Sequence, residues 1–259
     1  MQETIVVVPC YNEEKRLDAA APREFAAHQP SFSFVLVDDG STDATAEVIE
    51  GLAKHDGTHF EALRLDHNQG KAEAVRQGML RAMQRSPKLI AYLDADLATP
   101  LSELPPMCTL FEDEKLELVL ASRVALLGRS ILRSPSRHYL GRIFATTAAR
   151  VVDLTVYDTQ CGAKVFRNTD AVRSVFATPF TVRWSFDVEI LARMLRLAED
   201  GTLAPLDRCA AEYPLRAWRD VGGSKLGIRA AAGAALELAQ IWRRYRWPRQ
   251  PPSRDRNTR

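Results

Sequence analysis

The chain has little cysteine, no long apolar run and almost no net charge. Its 259 residues include four cysteines, Cys10, Cys108, Cys161 and Cys209, and no two are spaced as a zinc knuckle or a C-x-x-C pair. A chain this long buries most of its apolar surface without disulfides, so a reducing cytoplasm is the simplest compartment. No uninterrupted apolar run approaches the roughly 20 residues of a membrane span. No basic stretch followed by an apolar one opens the sequence, as a secretory signal would. A soluble or peripheral protein is expected. The 35 Lys and Arg against 33 Asp and Glu leave a formal charge of +2, too small to imply a nucleic-acid partner. No G-x-G-x-x-G follows the first apolar run, which counts against a dinucleotide-dependent oxidoreductase.

What is present is an alternation. Short apolar runs at 5–8, 34–37, 63–65, Leu89–Leu93 and 118–121 read as strands. Between them, 13–28 (broken at Pro22), 43–54, Lys71–Gln84 and 102–112 read as helices. Strands alternating with helices predict an α/β protein with a mostly parallel, Rossmann-like sheet flanked by helices. Continuously apolar strands fit a sheet covered on both faces. Ligands of such sheets bind beyond the carboxyl ends of the strands. There the sequence places Pro9-Cys10-Tyr11-Asn12-Glu13, Asp38-Asp39, Asp94-Ala95-Asp96 and Ser122-Arg123. Later, a helix to about Val152, a short strand at 161–167, a helix at 186–197 and a long alanine-rich helix at 224–247 are expected. With no repeat or linker, 1–247 reads as one domain and 248–259 as a disordered polar tail.

Two carboxylates flanking one small residue just past a buried strand, as in Asp94-Ala95-Asp96, can reach one divalent cation together. Mg²⁺ and Mn²⁺ prefer oxygen ligands and share them with phosphates, and such a cation would neutralise a departing nucleoside diphosphate. The plainer alternative is a loop with two solvated acids. Asp38 and Asp39 cannot both be relaxed if buried, unless a ligand supplies donors; Ser41 or Thr42 then caps the following helix. Asn68-Gln69-Gly70-Lys71 opens a helix where a lysine and free amides attract phosphate, or where there is only a cap.

Val6-Val7-Val8-Pro9-Cys10-Tyr11-Asn12-Glu13-Glu14, the 37–45 segment, the 68–78 segment and Tyr92 to Asp96 together resemble the inverting family 2 glycosyltransferases of GT-A fold. Asp158-Thr159-Gln160-Cys161-Gly162-Ala163-Lys164-Val165-Phe166, Arg183-Trp184-Ser185-Phe186-Asp187-Val188-Glu189 and Gly223-Ser224-Lys225 resemble motifs of dolichyl-phosphate β-glucosyltransferases. The related mannose synthases carry a glutamine where this chain has Ala98. The resemblance implies a GT-A fold with a C-terminal helical extension, a nucleotide-sugar half at 1–125 and an acceptor half at 126–247. It implies glucose transfer from UDP-glucose to a polyprenyl phosphate with Mg²⁺ or Mn²⁺. Pro9, Tyr11, Glu13, Asp38 and Asp39 would line the nucleoside pocket, Asp94 would contact ribose or metal, Asp96 would ligate the metal, and Lys71 would lie beside the phosphates. Eukaryotic members carry an N-terminal membrane anchor, for which this sequence shows no counterpart.

A phosphate monoester is already anionic near neutral pH, so its attack needs cations more than a base. Arg123, Arg129, Arg133 and Arg137 lie in an acid-free segment, and arginine grips phosphate through two nitrogens. The alternative is a solvated basic loop. For a sugar or small-molecule hydroxyl acceptor, Asp187 is the candidate base, or it stabilises a helix N-terminus. At the C-terminus, Leu236, Ile241, Trp242, Tyr245 and Trp247 interleave with Arg243, Arg244 and Arg246. That pattern suits a peripheral membrane contact at the inner face of the cytoplasmic membrane, or a packed helix with a basic tail. A third reading is a non-catalytic nucleotide-sugar-binding module.

Overall fold

The computed structural model describes the backbone of residues 3–132, 135–221 and 228–246, and their side chains apart from 135–140, 228–232 and 246. The first half is the predicted alternation: β1 (Thr4–Cys10), α1 (Ala20–His28), β2 (Phe32–Asp38), α2 (Thr45–His55), β3 (Phe60–Arg64), α3 (Lys71–Gln84), β4 (Leu89–Leu93), α4 (Leu104–Thr109) and β5 (Leu118–Ser122). Then come β6 (Ser130–Leu132), α5 (Pro135–Val152), β7 (Ala163–Arg167), α6 (Asp170–Phe176), α7 (Phe186–Glu199), α8 (Leu206–Cys209), β8 (Ala210–Pro214), β9 (Ala217–Arg219) and α9 (Ile228–Ile241), which runs on into a π-helical turn at Trp242–Arg246.

Seven strands form one sheet in the order β3-β2-β1-β4-β7-β5-β8. β7 is antiparallel to both its neighbours, and the remaining pairs are parallel. β6 and β9 form a separate two-stranded ribbon. Side chains alternate across a strand, so Ile5 and Val7 enter one core while Val6 and Val8 enter the other. Both cores are apolar, which is why the strands carry no polar alternation.

Several expected boundaries move. The helix expected from residue 13 begins at Ala20. Asp18 Oδ1 accepts the N–H groups of Ala20 and Ala21 at 2.9 and 3.3 Å, as an N-cap does. Pro22 then falls in the first turn, where its missing N–H costs nothing. The 102–112 helix divides into a 3₁₀ turn, α4 and a second 3₁₀ turn, with Pro105 and Pro106 in its middle. The short elements β6, α6, α8, β8 and β9 were not expected; each is held by long-range pairing or packing that local pattern does not encode. Residues 224–227, Trp247 and 248–259, with Gly223-Ser224-Lys225, lie outside the described residues.

Candidate active site

β1 and β4 are neighbours, but the chain reaches β2 and β3 on one side of them and β7 and β5 on the other. That order puts a crevice at the carboxyl ends of β1, β2 and β4. A cleft of about 260 Å³ lies there. Pro9, Cys10, Tyr11 and Glu13 from the end of β1 form one wall, and Asp94, Ala95 and Asp96 after β4 form another. Asp39, Asn68, Gly70 and Lys71 complete it.

The loop after β1 is fastened to the loop after β2. Asn12 Oδ1 accepts the Thr42 N–H at 2.9 Å, the Asn12 N–H donates to Ser41 Oγ at 3.0 Å, and the Glu13 N–H donates to Thr45 Oγ1 at 2.8 Å. Asn12 sits at φ +53°, a region asparagine tolerates better than most residues. Arg16 grips the Glu13 carboxylate at 2.6 and 2.8 Å. Burial nonetheless raises the Glu13 carboxyl above its ordinary range. Cys10 is a wall rather than a nucleophile: burial, with Glu13 and Asp38 close by, pushes its thiol up to about 12, so it stays protonated.

Asp39 is satisfied by the protein itself, whereas one Asp38 carboxylate oxygen, Oδ2, is buried with no hydrogen-bond partner among the described residues. Asp38 is fully buried and outside the cleft lining; it accepts the Ser41 N–H at 3.0 Å and faces Arg64 at 3.6 Å. Asp39 does line the cleft. It takes the Gln69 and Gly70 amides at 2.8 and 2.9 Å and the Asn68 side-chain amide at 3.1 Å. Burial raises its carboxyl against the pull of those amides. Asp39 thereby sets the loop that starts α3, with Gly70 at φ +93°, a conformation that only glycine adopts cheaply.

α3 then delivers Lys71 to the carboxylate pair, with Nζ 2.6 Å from Asp94 Oδ1. Burial alone would lower this ammonium, but Asp94, Asp187 and Asp96 hold it above its usual value. Asp96 Oδ1 accepts the Ala98 N–H at 3.0 Å, and Leu97 between them is forced to φ +49°. Burial, reinforced by Asp94, raises the Asp96 carboxyl. Two carboxylates on one tight turn, rich in negative charge and lined by oxygen donors, fit a hard divalent cation. Among the described residues no third His, Cys, Asp or Glu joins them, so phosphate or water oxygens would complete the shell.

Asp94 also depends on a residue the sequence reading gave no role. Its N–H donates to Gly162 O at 2.9 Å. A Cβ on Gly162 would lie 2.1 Å from Asp94 Oδ2. The signal was the motif at 158–166, in which this glycine stands beside the strand that pairs with β4.

Asp187 is not among the residues that line the cleft. It is buried at the start of α7, accepts from Lys164 Nζ at 2.6 Å and from the Tyr92 hydroxyl. Lys164, fully buried, also donates to Cys161 O at 2.8 Å. Burial pushes the Asp187 carboxyl up to about 7 and the Lys164 ammonium down to about 7. A lysine in the apolar run Ala163-Lys164-Val165-Phe166 was the available hint.

The arginines of the acid-free segment part company. The Arg123 Nε and Nη2 donate to the two Asp158 oxygens at 2.7 and 2.8 Å, and the Arg123 N–H adds a third bond at 3.1 Å. Its fork, the feature that suits phosphate, is closed on a carboxylate. Burial would raise Asp158, but Arg123 dominates and pulls it down to about 2. Arg129 is half-buried on the loop before β6. Arg133 lies outside the described residues, and so does the side chain of Arg137. The Arg123–Asp158 pair predicts a pH signature. Asp158 has a folded pKa below its unfolded one near 3.8, so its stabilisation, about 2 kcal/mol, is present above pH 4 and lost as pH falls towards 2. The stability gap between wild type and Asp158→Asn, followed by denaturant unfolding, should therefore be constant above pH 4 and shrink below it. A gap unchanged down to pH 2 would refute the pairing.

The C-terminal helix is packed. Leu238 and Ile241 are buried, Tyr245 donates to Glu189 Oε1 at 2.8 Å, and Glu237 accepts the amides of Arg183, Trp184 and Ser185. Its other face shows Leu236, 73% exposed, and Trp242, 40% exposed. No described helix is long and apolar enough to cross a membrane.

Comparison with known proteins agrees with this geometry. Residues 5–173 match the family described as Glycosyl transferase family 2. A dolichyl-phosphate beta-glucosyltransferase of Drosophila melanogaster is 33% identical over 94% of this chain and 75% of its own length. That of Homo sapiens is 30% identical over 85% and 68%. Among solved structures, glucosyl-3-phosphoglycerate synthase of Mycobacterium tuberculosis, crystallised with Mn²⁺, UDP and phosphoglyceric acid, superposes with a TM-score of 0.63 at 18% identity, covering 96% of this chain and 80% of that one. The mannosyltransferase PcManGT of Pyrobaculum calidifontis, crystallised with GDP-Man and Mn²⁺, gives 0.57 at 16% identity, covering 97% and 66%. The fold is GT-A.

Proposed function

The chain belongs to glycosyl transferase family 2 and is a glycosyltransferase, and on that premise we propose that it moves glucose from UDP-glucose to a polyprenyl phosphate with Mg²⁺ or Mn²⁺. The observation that carries the reading is the cleft at the ends of β1 and β4, where Asp94 and Asp96 face the wall formed by Tyr11 and Glu13. The donor and acceptor rest on the dolichyl-phosphate glucosyltransferases that this chain matches over most of its length.

In this reading Pro9, Tyr11, Glu13 and Asp39 border the nucleoside, and Asp38 supports them from behind by fixing the turn at Ser41. Asp94 and Asp96 hold the cation, which when bound supplies charge to the leaving diphosphate. Lys71 adds a second positive charge on the same side. The acceptor phosphate is its own nucleophile and attacks the anomeric carbon from the face opposite the leaving group. No side-chain base is then needed, which accords with an Asp187 already engaged by Lys164 and Tyr92. A hydroxyl acceptor would require that carboxylate to be free. Acceptor-half cations are drawn from Arg129, Arg133 and Arg137, with Arg123 assigned to the fold. Residues 1–247 act as one unit with a nucleotide-sugar half and an acceptor half. Leu127, Leu132, Ile143, Trp184, Leu236 and Trp242 are all exposed on the acceptor half. They support a peripheral contact with the inner face of the cytoplasmic membrane.

The test is transfer of radiolabelled sugar from UDP-glucose into an organic-extractable product, with undecaprenyl or dolichyl phosphate and Mn²⁺ or Mg²⁺. Label is expected in the lipid phase. Asp96→Ala should lower it at least about a hundredfold, the equivalent of about 3 kcal/mol of charge stabilisation. UDP release with an added sugar acceptor and no lipid label would replace this reading with a hydroxyl acceptor. UDP binding without turnover on any acceptor would favour a binding module.

A further inference from the structure

Arg183 belongs to no role assigned so far. It precedes α7, in the acceptor half, yet its guanidinium reaches the nucleotide-sugar half. A Cβ built on Gly70 would lie 3.3 Å from Arg183 Nε and 3.4 Å from Nη2. Gly70 and Lys71 both line the cleft. Arg183 is not itself a lining residue of the cleft, but it lies against its wall at the start of α3, next to the lysine that meets the carboxylate pair.

Two features leave it open to a ligand. It is exposed. Among the described residues its guanidinium makes no ion pair or hydrogen bond, while its backbone N–H donates to Glu237 Oε1 at 3.1 Å. By contrast, Arg123 is closed on Asp158, Arg142 on Tyr157 O, Arg167 on the carbonyls of Leu116, Phe111 and Asp113, and Arg193 on Glu189. The nearby Asp39 exerts a Coulombic pull, but its oxygens are taken by the 68–70 amides.

The backbone beneath Arg183 is built to hold still. Glu237, from α9, accepts the N–H groups of Arg183, Trp184 and Ser185 at 2.7 to 3.2 Å. The guanidinium, a group that pairs with phosphate oxygens, rests against Gly70, where any side chain would crowd it. The α3 N-terminus adds its partial positive charge to the same spot.

We propose that Arg183 is a phosphate-binding residue at the rim of the cleft, its guanidinium taking a phosphate held at the start of α3 beside the metal-site lysine. The assignment rests on the functional reading above, and that reading offers two phosphate sources: the diphosphate of the donor and the monoester of the acceptor.

The experiment is calorimetric titration of wild type, Arg183→Ala and Arg183→Lys with UDP, UMP and inorganic pyrophosphate in Mn²⁺ buffer, joined to the KM for polyprenyl phosphate. Binding to the donor diphosphate predicts that Arg183→Ala weakens UDP and pyrophosphate at least about tenfold and leaves UMP within about twofold. Arg183→Lys should recover part of the loss, because it restores charge but not the fork. Binding to the acceptor predicts unchanged nucleotide affinity and a KM raised at least about tenfold. UDP, pyrophosphate and acceptor KM all within about twofold of wild type overturn the assignment while leaving the functional reading intact. A wild-type chain that binds no uridine nucleotide counts against the functional reading, and pyrophosphate then tests Arg183 alone. Because Arg183 is exposed, its variants should fold, and an unchanged unfolding midpoint is the control.

Discussion

Gly162→Ala should cut turnover about a hundredfold while the protein stays folded. The added Cβ would stand 2.1 Å from Asp94 Oδ2 and 2.2 Å from the carboxyl carbon. The carboxylate must retreat by about 1 Å to restore contact distance, and a displacement of that size at a reacting centre costs about a hundredfold. Asp94 cannot retreat freely. Its backbone N–H is tied to Gly162 O, and one carboxylate oxygen lies against Lys71 Nζ. Overpacking a single methyl should cost about 1–3 kcal/mol of stability, which leaves most of the protein native at 25 °C. The apparent affinity for Mn²⁺ in the transfer reaction should fall along with kcat. Turnover within threefold of wild type would mean that Asp94 is not where this site needs it.

The second large effect is on stability. Lys164→Met and Asp187→Leu should each cost about 3–5 kcal/mol, because either leaves one buried charge without its partner. The double variant should recover most of that loss, since two apolar residues then replace two charges. The singles should also diverge in pH. In Lys164→Met the surviving Asp187 keeps the burial that raises its carboxyl above its ordinary 3.8 and loses the ammonium that balanced its charge. That variant loses stability against wild type as pH rises from about 4 towards 7. In Asp187→Leu the surviving Lys164 keeps the burial that lowers it from 10.5 and loses its carboxylate, so the loss grows as pH falls from about 10 towards 7. Denaturant unfolding of the four proteins across pH 5–9 reads both points. Strictly additive singles, or singles with parallel pH slopes, would show that the two groups do not act as a pair.

The same pair shows where reading by sequence stops. Asp187 stands in a motif that resembles a family signature, at the N-terminus of a helix, and from sequence it is a fair base. Only the packing of β7 against β4 brings Lys164 and Tyr92 onto it and closes it to a substrate. Arg123 has the same history: an arginine in an acid-free segment looks free until Asp158, thirty-five residues later, folds back and takes its fork. Gly162 and Asp94 are 68 residues apart and still share a van der Waals boundary. In each case the deciding partner is distant in the chain, and no local periodicity encodes which distant carboxylate, amide or methyl group will fill the space beside a side chain.

By contrast, the sequence alone determined the alternating strands and helices of the first 125 residues, the parallel sheet, and the collection of acids at the strand ends. Each follows from short-range physics: apolar runs that must be buried, helices with one apolar face, and turns that strand polar residues at one edge of a sheet. The tertiary structure decided the rest. It turned Asp38 into a buried support and Asp39 into the anchor of the α3 loop, set Lys71 on Asp94, and laid Arg183 against Gly70. Whether a polar group is free for a ligand depends on every donor and acceptor that the whole fold brings within about 3 Å of it, and only the assembled chain fixes those distances.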